Sequence, residues 1–423
     1  MQSPESRQNA TPPSGLGGAR DGGIDRRRLL IDAAVGAGLL LAVALVFAFD
    51  RASSTSGGDQ SGGVDTFEIV VDDGGGASAP PRRPLRLAVT PPEYDDVGKL
   101  LDTLGRGYRY TQIELDDLLH AERLAEYDVV FLTCGGVPRA WLERRLRDSE
   151  RGSAGIYRPR PEVADAVHES FRKFVGHGGT LYASDLQFDL VSLAFPELVD
   201  KGRMGRGEVQ TIEAEVVDPG LRRLLGAAID LRFDMPAWRP AALRGPDVTT
   251  YLSGTYRLRD GAEQTGPLLV TFAHGEGTVV FTSFHNEAQN TELELELLRY
   301  LVFTTVTARE QGRIKQTMVR GGFSPTERNL LSASSASKSV KMTHLCQHRS
   351  SLQFVLGFED QGAELRLRVV GPGGEEVEKQ GAKTLTIEID NARPGTWQYS
   401  ITPIKIPYDN FPYTLTVGGK RPT

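Results

Sequence analysis

Apolar residues fall along this chain in three rhythms. From Leu29 to Phe49 they run almost unbroken. From Leu85 to about residue 308, short apolar runs alternate with stretches of helical period. Past Leu352, apolar and polar positions alternate with a period of two. In the middle region Leu85–Thr90, Tyr110–Leu115, Val129–Thr133 and Thr180–Ala183 read as strands. Asp96–Leu104, Leu118–Ala125 and Val163–Val175 read as helices, the last closed by Gly176-His177-Gly178-Gly179. Residues 210–217 and 248–252 read as edge strands, 267–272 and 277–284 as a strand pair, and Glu292–Val306 as a closing helix. This rhythm predicts an α/β domain over residues 85–308, with a flavodoxin-like, mostly parallel sheet covered by helices on both faces. Residues 309–342 read as a polar, Ser-rich linker. The strands 352–358, 364–370, 385–389, 397–401 and 413–417, separated by turns such as Gly371-Pro372-Gly373-Gly374, predict a small antiparallel β-sandwich over residues 343–420.

The first rhythm has a different meaning. Leu29–Phe49 is about 21 residues long, and at about 1.5 Å per residue it matches a hydrocarbon core of about 30 Å. Its one charge, Asp32, lies within a turn of the end. Arg26-Arg27-Arg28 precede it, so the positive-inside bias places residues 1–28 in the cytoplasm as a polar tail. The expectation is one N-terminal transmembrane helix (29–49), a Gly/Ser/Pro-rich tether (50–84), and the bulk of the chain outside the cytoplasm. The membrane is then the first partner. Protein partners at the cell envelope are the second, with the small-molecule ligand unknown.

Composition narrows this further. Of 423 residues, 39% are hydrophobic and 25% charged, so a packed core is expected. The net charge of -6 gives no electrostatic footprint for nucleic acid. Two cysteines far apart, Cys134 and Cys346, make neither a disulfide framework nor a cysteine metal site.

Candidate chemistry gathers where an open α/β sheet binds ligands, at the C-terminal ends of strands. Gly135-Gly136 follow one strand and Ala183-Ser184-Asp185 another, with His274 in a connector and Ser283-Phe284-His285-Asn286-Glu287 after the last strand. Glycines there can turn N–H groups toward an oxyanion. A serine can be a nucleophile, and a histidine followed by a glutamate can supply a base and its orienting group. The candidate catalytic set is Ser184, His285 and Glu287, and the candidate ligand contacts are Gly135, Gly136, Asp185 and Asn286. The local alternative for Asp185 is capping of the following helix. No spacing signature marks a metal site, and no cofactor motif is present.

These elements, in this order, resemble the class I glutamine amidotransferase-like superfamily. Leu132-Thr133-Cys134-Gly135-Gly136 is similar to its strand-and-glycines element, Val175–Ser184 to the approach to its nucleophile elbow, and Ser283–Glu287 to its Q-F-H-P-E. The departure lies at the elbow, where Tyr182-Ala183-Ser184-Asp185-Leu186 has Ser184 for cysteine between bulky residues. The resemblance therefore implies a domain that has lost its nucleophile and serves binding or assembly. The alternative is a membrane-tethered serine hydrolase or amidohydrolase using Ser184, His285 and Glu287. The C-terminal stretch, with Gly371-Pro372-Gly373-Gly374 and Pro394-Gly395-Thr396-Trp397, resembles the pre-peptidase C-terminal type of secreted accessory domain, with Trp397 as a core anchor.

Overall fold

Three short apolar strands, Leu87–Val89 (β1), Val129–Leu132 (β3) and Thr180–Ser184 (β4), form the centre of the first sheet. Their side chains alternate between two faces because successive residues of a strand point oppositely. Paired in parallel with one another and with Gly277–Thr282 (β9), they form two rows across the sheet. Val89, Phe131, Tyr182 and Val280 enter one core, and Ala88, Val130, Leu181 and Val279 enter the other. Both faces are buried, which accounts for the continuous apolar runs in the sequence. The computed structural model describes residues 85–143, 159–333, 338–358 and 362–420. The expected tail, membrane helix and tether lie outside the described residues. No helix among the described residues is long and apolar enough to cross a membrane.

On the first face lie Val97–Leu104 (α1) and the first half of Glu292–Arg320; on the second lie Ala121–Leu124 (α2), Pro161–Gly176 (α3) and Phe188–Ala194 (α4). Tyr110–Gln112 (β2) completes the parallel half. The full order is β2-β1-β3-β4-β9-β8-β7-β5-β6. Gln210–Val216 (β5), Ala228–Phe233 (β6), Val248–Arg257 (β7) and Glu263–His274 (β8) are joined to β9 and to each other antiparallel. The sheet is thus mixed, with a parallel half and an antiparallel half. Hairpin connections build the second half where the sequence offers a single helix, Pro219–Leu225 (α5), between β5 and β6.

The expected linker is not a linker. The closing helix, α6, runs from Glu292 to Arg320. Ser324–Ala333 (β10) and Val340–Cys346 (β11) follow it as strands. They join Ser350–Gly357 (β12), Glu364–Val370 (β13), Glu376–Gly381 (β14), Leu385–Ala392 (β15), Gly395–Lys405 (β16) and Phe411–Lys420 (β17). These eight strands make two four-stranded antiparallel sheets, β10-β17-β12-β15 and β11-β16-β13-β14, around one core in which Trp397 is 1% exposed. The far end of α6 packs Ile314 and Met318 against Phe323 and Val355. One helix therefore serves both units.

Candidate functional site

The register of the parallel strands sets Leu132 beside Ala183 and Ala183 beside Phe281. The turns that follow β3, β4 and β9 therefore open side by side, carrying Cys134, Asp185 and His285. The backbone at β4 turns one residue later than the sequence reading places it. Ser184 is still extended, at φ -122° and ψ 140°, and its buried Oγ has no hydrogen-bond partner. Asp185 carries the strained turn at φ 46°, a left-handed conformation that costs a non-glycine residue on the order of 1–3 kcal/mol. At this register the residues two before and two after the turn are Ala183 and Gln187. The clash read from Tyr182 and Leu186 belongs to the neighbouring position. Gln187 Nε2 donates to the carbonyls of Thr133 and Gly135, both at 3.0 Å, and ties the two turns together.

Asp185 does not cap the helix after it. Its Oδ1 accepts from the Arg239 backbone N–H at 2.6 Å, and its Oδ2 lies 2.9 Å from His285 Nε2 and 3.7 Å from Cys134 Sγ. The His285 Nε2 contact is short but out of hydrogen-bond alignment. On the other side of the ring, Nδ1 meets Asp234 Oδ1 at 3.1 Å. Burial alone would hold the His285 imidazole down, but the contact with Asp185 and the charges of Asp185, Asp95 and Asp234 outweigh it and raise its pKa. Burial, with the Asp185 charge added, pushes the Cys134 thiol far up. Arg239 is itself buried, with Nη2 2.6 Å from Asp189 Oδ1.

Of the sequence-predicted set, Ser184, His285 and Glu287 are not brought into a relay. Glu287 turns outward and pairs with Lys99 Nζ at 2.5 Å. Its place beside the imidazole is taken by Asp234, which follows β6, a strand absent from the sequence reading. Asn286 is held rather than offered to a ligand: buried Asp95 accepts from Asn286 N, Asn286 Nδ2 and Glu287 N at 2.9, 2.8 and 3.0 Å. Burial raises the Asp95 pKa against these hydrogen bonds. Gly135 and Gly136 do lie at the strand end, but Gly136 N–H donates to Glu93 Oε2 at 2.6 Å. A Cβ at Gly135 would meet that oxygen at 3.0 Å. His274 lies at the opposite end of the strands, because β8 runs antiparallel to its neighbours and His274 pairs with Gly277 at the start of β9; there it packs edge-on against Phe195. Cys134 and Cys346 are both buried and free.

An apolar cleft of about 150 Å³ adjoins the site, lined by Gly135, Trp141, Val163, Leu186, Leu190 and Met204. A larger cleft of about 420 Å³, lined by Asp218, Tyr251, Thr304 and Lys315 among others, shares no residue with the His285 cluster.

No protein-family model matches the chain, and no curated protein does. Among solved structures it is similar to a putative GMP synthase subunit from Thermoplasma acidophilum, at 14% identity and a TM-score of 0.36 over 55% of this chain and 98% of that one. PurLQS from Thermotoga maritima is similar at 14% identity and 0.34, over 52% and 100%. A glutamine amidotransferase from the same organism is similar at 12% identity and 0.30, over 56% and 94%. Likeness of this degree says nothing about chemistry, which is left to the geometry of the site.

Proposed function

We propose that this chain is a membrane-anchored, extracytoplasmic binding or assembly protein whose amidotransferase-like domain carries out no hydrolysis. The observation that carries this reading is the occupancy of the elbow. The strained position holds Asp185, a carboxylate 2% exposed, with one oxygen bound by the Arg239 N–H and the other against His285. A nucleophile needs a free electron pair facing a substrate, and an oxyanion needs free donors. Here the Gly136 N–H, which would be such a donor, is held by Glu93. The apolar run Leu29–Phe49 supports the anchor, and the arginines before it support the orientation.

The φ of 46° at Asp185, with His285 and Asp234 behind it, favours a second reading. In it the Asp185 carboxylate adds to the carbonyl carbon of an ester or amide, and the alcohol or amine leaves with a proton from His285. The acyl anhydride so formed is cleaved by a water that His285 deprotonates. The two readings part in one experiment. The full chain in detergent is assayed against esters, primary amides and short peptides, beside Asp185→Asn and Ser184→Ala. The binding reading expects wild-type turnover equal to both variants. Turnover lost in Asp185→Asn establishes the carboxylate mechanism, and turnover lost in Ser184→Ala establishes a serine hydrolase.

A further inference from the structure

Three donors of different chemistry meet at the ends of β3, β4 and β9. They are a thiol, a carboxylate and an imidazole, 0%, 2% and 4% exposed at Cys134, Asp185 and His285. One ligand atom from each lies within 4.8 Å of the other two. We propose that these three residues bind a zinc ion.

The distances fit such an ion. With Zn–S of about 2.3 Å and Zn–N or Zn–O of about 2.0–2.1 Å, tetrahedral ligand atoms lie roughly 3.3–3.6 Å apart. Cys134 Sγ to Asp185 Oδ2 is 3.7 Å and Asp185 Oδ2 to His285 Nε2 is 2.9 Å. The Cys134–Asp185 edge closes and the Asp185–His285 edge opens by a few tenths of an ångström to admit the metal, while the third edge, Cys134 to His285, lies within 4.8 Å.

A second feature points the same way. His285 Nε2 is buried, and its neighbour Asp185 Oδ2 at 2.9 Å is out of line for a hydrogen bond, so the nitrogen and the carboxylate oxygen face a common point rather than each other. Its other nitrogen is fixed by Asp234 at 3.1 Å. A carboxylate holding Nδ1–H is the arrangement that leaves Nε2 with its lone pair toward a metal and raises its basicity. Asp185 is likewise oriented, its Oδ1 tethered by the Arg239 N–H so that Oδ2 faces inward. Sulfur and imidazole ligands select zinc over magnesium or calcium. A thiolate, a carboxylate and a neutral imidazole around a divalent ion carry no net charge, as a buried site requires. When zinc binds, the Cys134 S–H proton and the Nε2 proton of a charged His285 ring leave to solvent, and the sulfur and nitrogen pairs form the bonds to the metal.

The probe is cobalt(II), titrated into the metal-free full chain in detergent, with circular dichroism recorded alongside. One equivalent is expected to produce a near-ultraviolet thiolate-to-cobalt charge-transfer band, and zinc to displace it. The band is expected to vanish in Cys134→Ser and to persist in Cys346→Ser. Asp234→Asn, which removes no ligand, is expected to weaken binding by about 10- to 100-fold. A folded wild type with no band at saturating cobalt overturns the assignment, as does a band that survives Cys134→Ser or is lost in Cys346→Ser.

Discussion

At the scale of single residues, the site is defined by carboxylates that are already engaged. Asp95 is the most constrained of them, accepting three hydrogen bonds from the segment that follows β9. An amide in its place would turn one NH2 toward an N–H donor. Asp95→Asn is therefore expected to destabilise the chain by about 1–3 kcal/mol, read from the shift of the urea midpoint; an unchanged midpoint would contradict the geometry. His285 supplies a pH test. Its folded pKa is raised, so its stabilising contribution is fully present below its ordinary value of about 6.5 and declines as pH rises through the folded value. The stability gap between wild type and His285→Gln should accordingly be wider at about pH 5.5 than at about pH 8.5. A gap independent of pH would mean that the ring makes no use of Asp185 or Asp234. The legible and illegible parts of the site divide here. The strand-end glycines, Asp185 and His285 stand out in the sequence because turn residues and titratable groups interrupt apolar runs. The shift of the elbow from Ser184 to Asp185 does not, since a single φ angle decides it. Asp234 and Arg239 escape a sequence reading because they lie beyond a strand that itself escapes it.

Elements show the same division. The central strands are readable because both faces are buried and the runs are continuous. Ala228–Phe233 is not, since its inward residues Ile229, Leu231 and Phe233 alternate with Asp230 and Arg232 over only three positions. The start of α6 is readable from the helical spacing of Glu292–Val306, and the structure adds a capping box there, with Thr291 Oγ1 accepting from the Glu294 N–H at 3.3 Å and the Thr291 N–H donating to Glu294 Oε2 at 2.7 Å. Thr291→Ala should cost about 1 kcal/mol in a chemical melt. The end of α6 reads as a linker because its outer face is polar, although Ile314 and Met318 keep the helical spacing. Between α3 and β9 the backbone leaves no room for a side chain, since a Cβ at Gly277 would lie 2.2 Å from the carbonyl oxygens of Val175 and Gly179. Gly277→Ala is expected to destabilise by roughly 1–3 kcal/mol, measured in the same way; a neutral substitution would mean that this contact relaxes freely.

At the scale of the molecule, α6 makes the two described units interdependent. Met318 is fully buried against Phe323 and Val355, and Tyr108 Oη in the first unit donates to the Asn410 carbonyl in the second at 2.5 Å. Met318→Ala should therefore cost about 2–5 kcal/mol and lower a single unfolding transition seen by both far- and near-ultraviolet signals. Two separated transitions in the wild type would show that the units stand apart. The proposed anchor belongs to this scale too. A reporter enzyme active only outside the cytoplasm, fused after residue 84, should be active, and should lose activity when Leu29–Phe49 is deleted.

Whether the elbow is closed to covalent chemistry can be read from intact mass. The folded full chain is incubated with a fluorophosphonate and, separately, with a carboxylate-directed alkylating electrophile, and any adduct is mapped by peptide mass. No adduct is expected at Ser184 or Asp185, because the first is buried without a base and the second has both oxygens engaged. An adduct at either residue that disappears on denaturation before labelling would contradict the closed elbow.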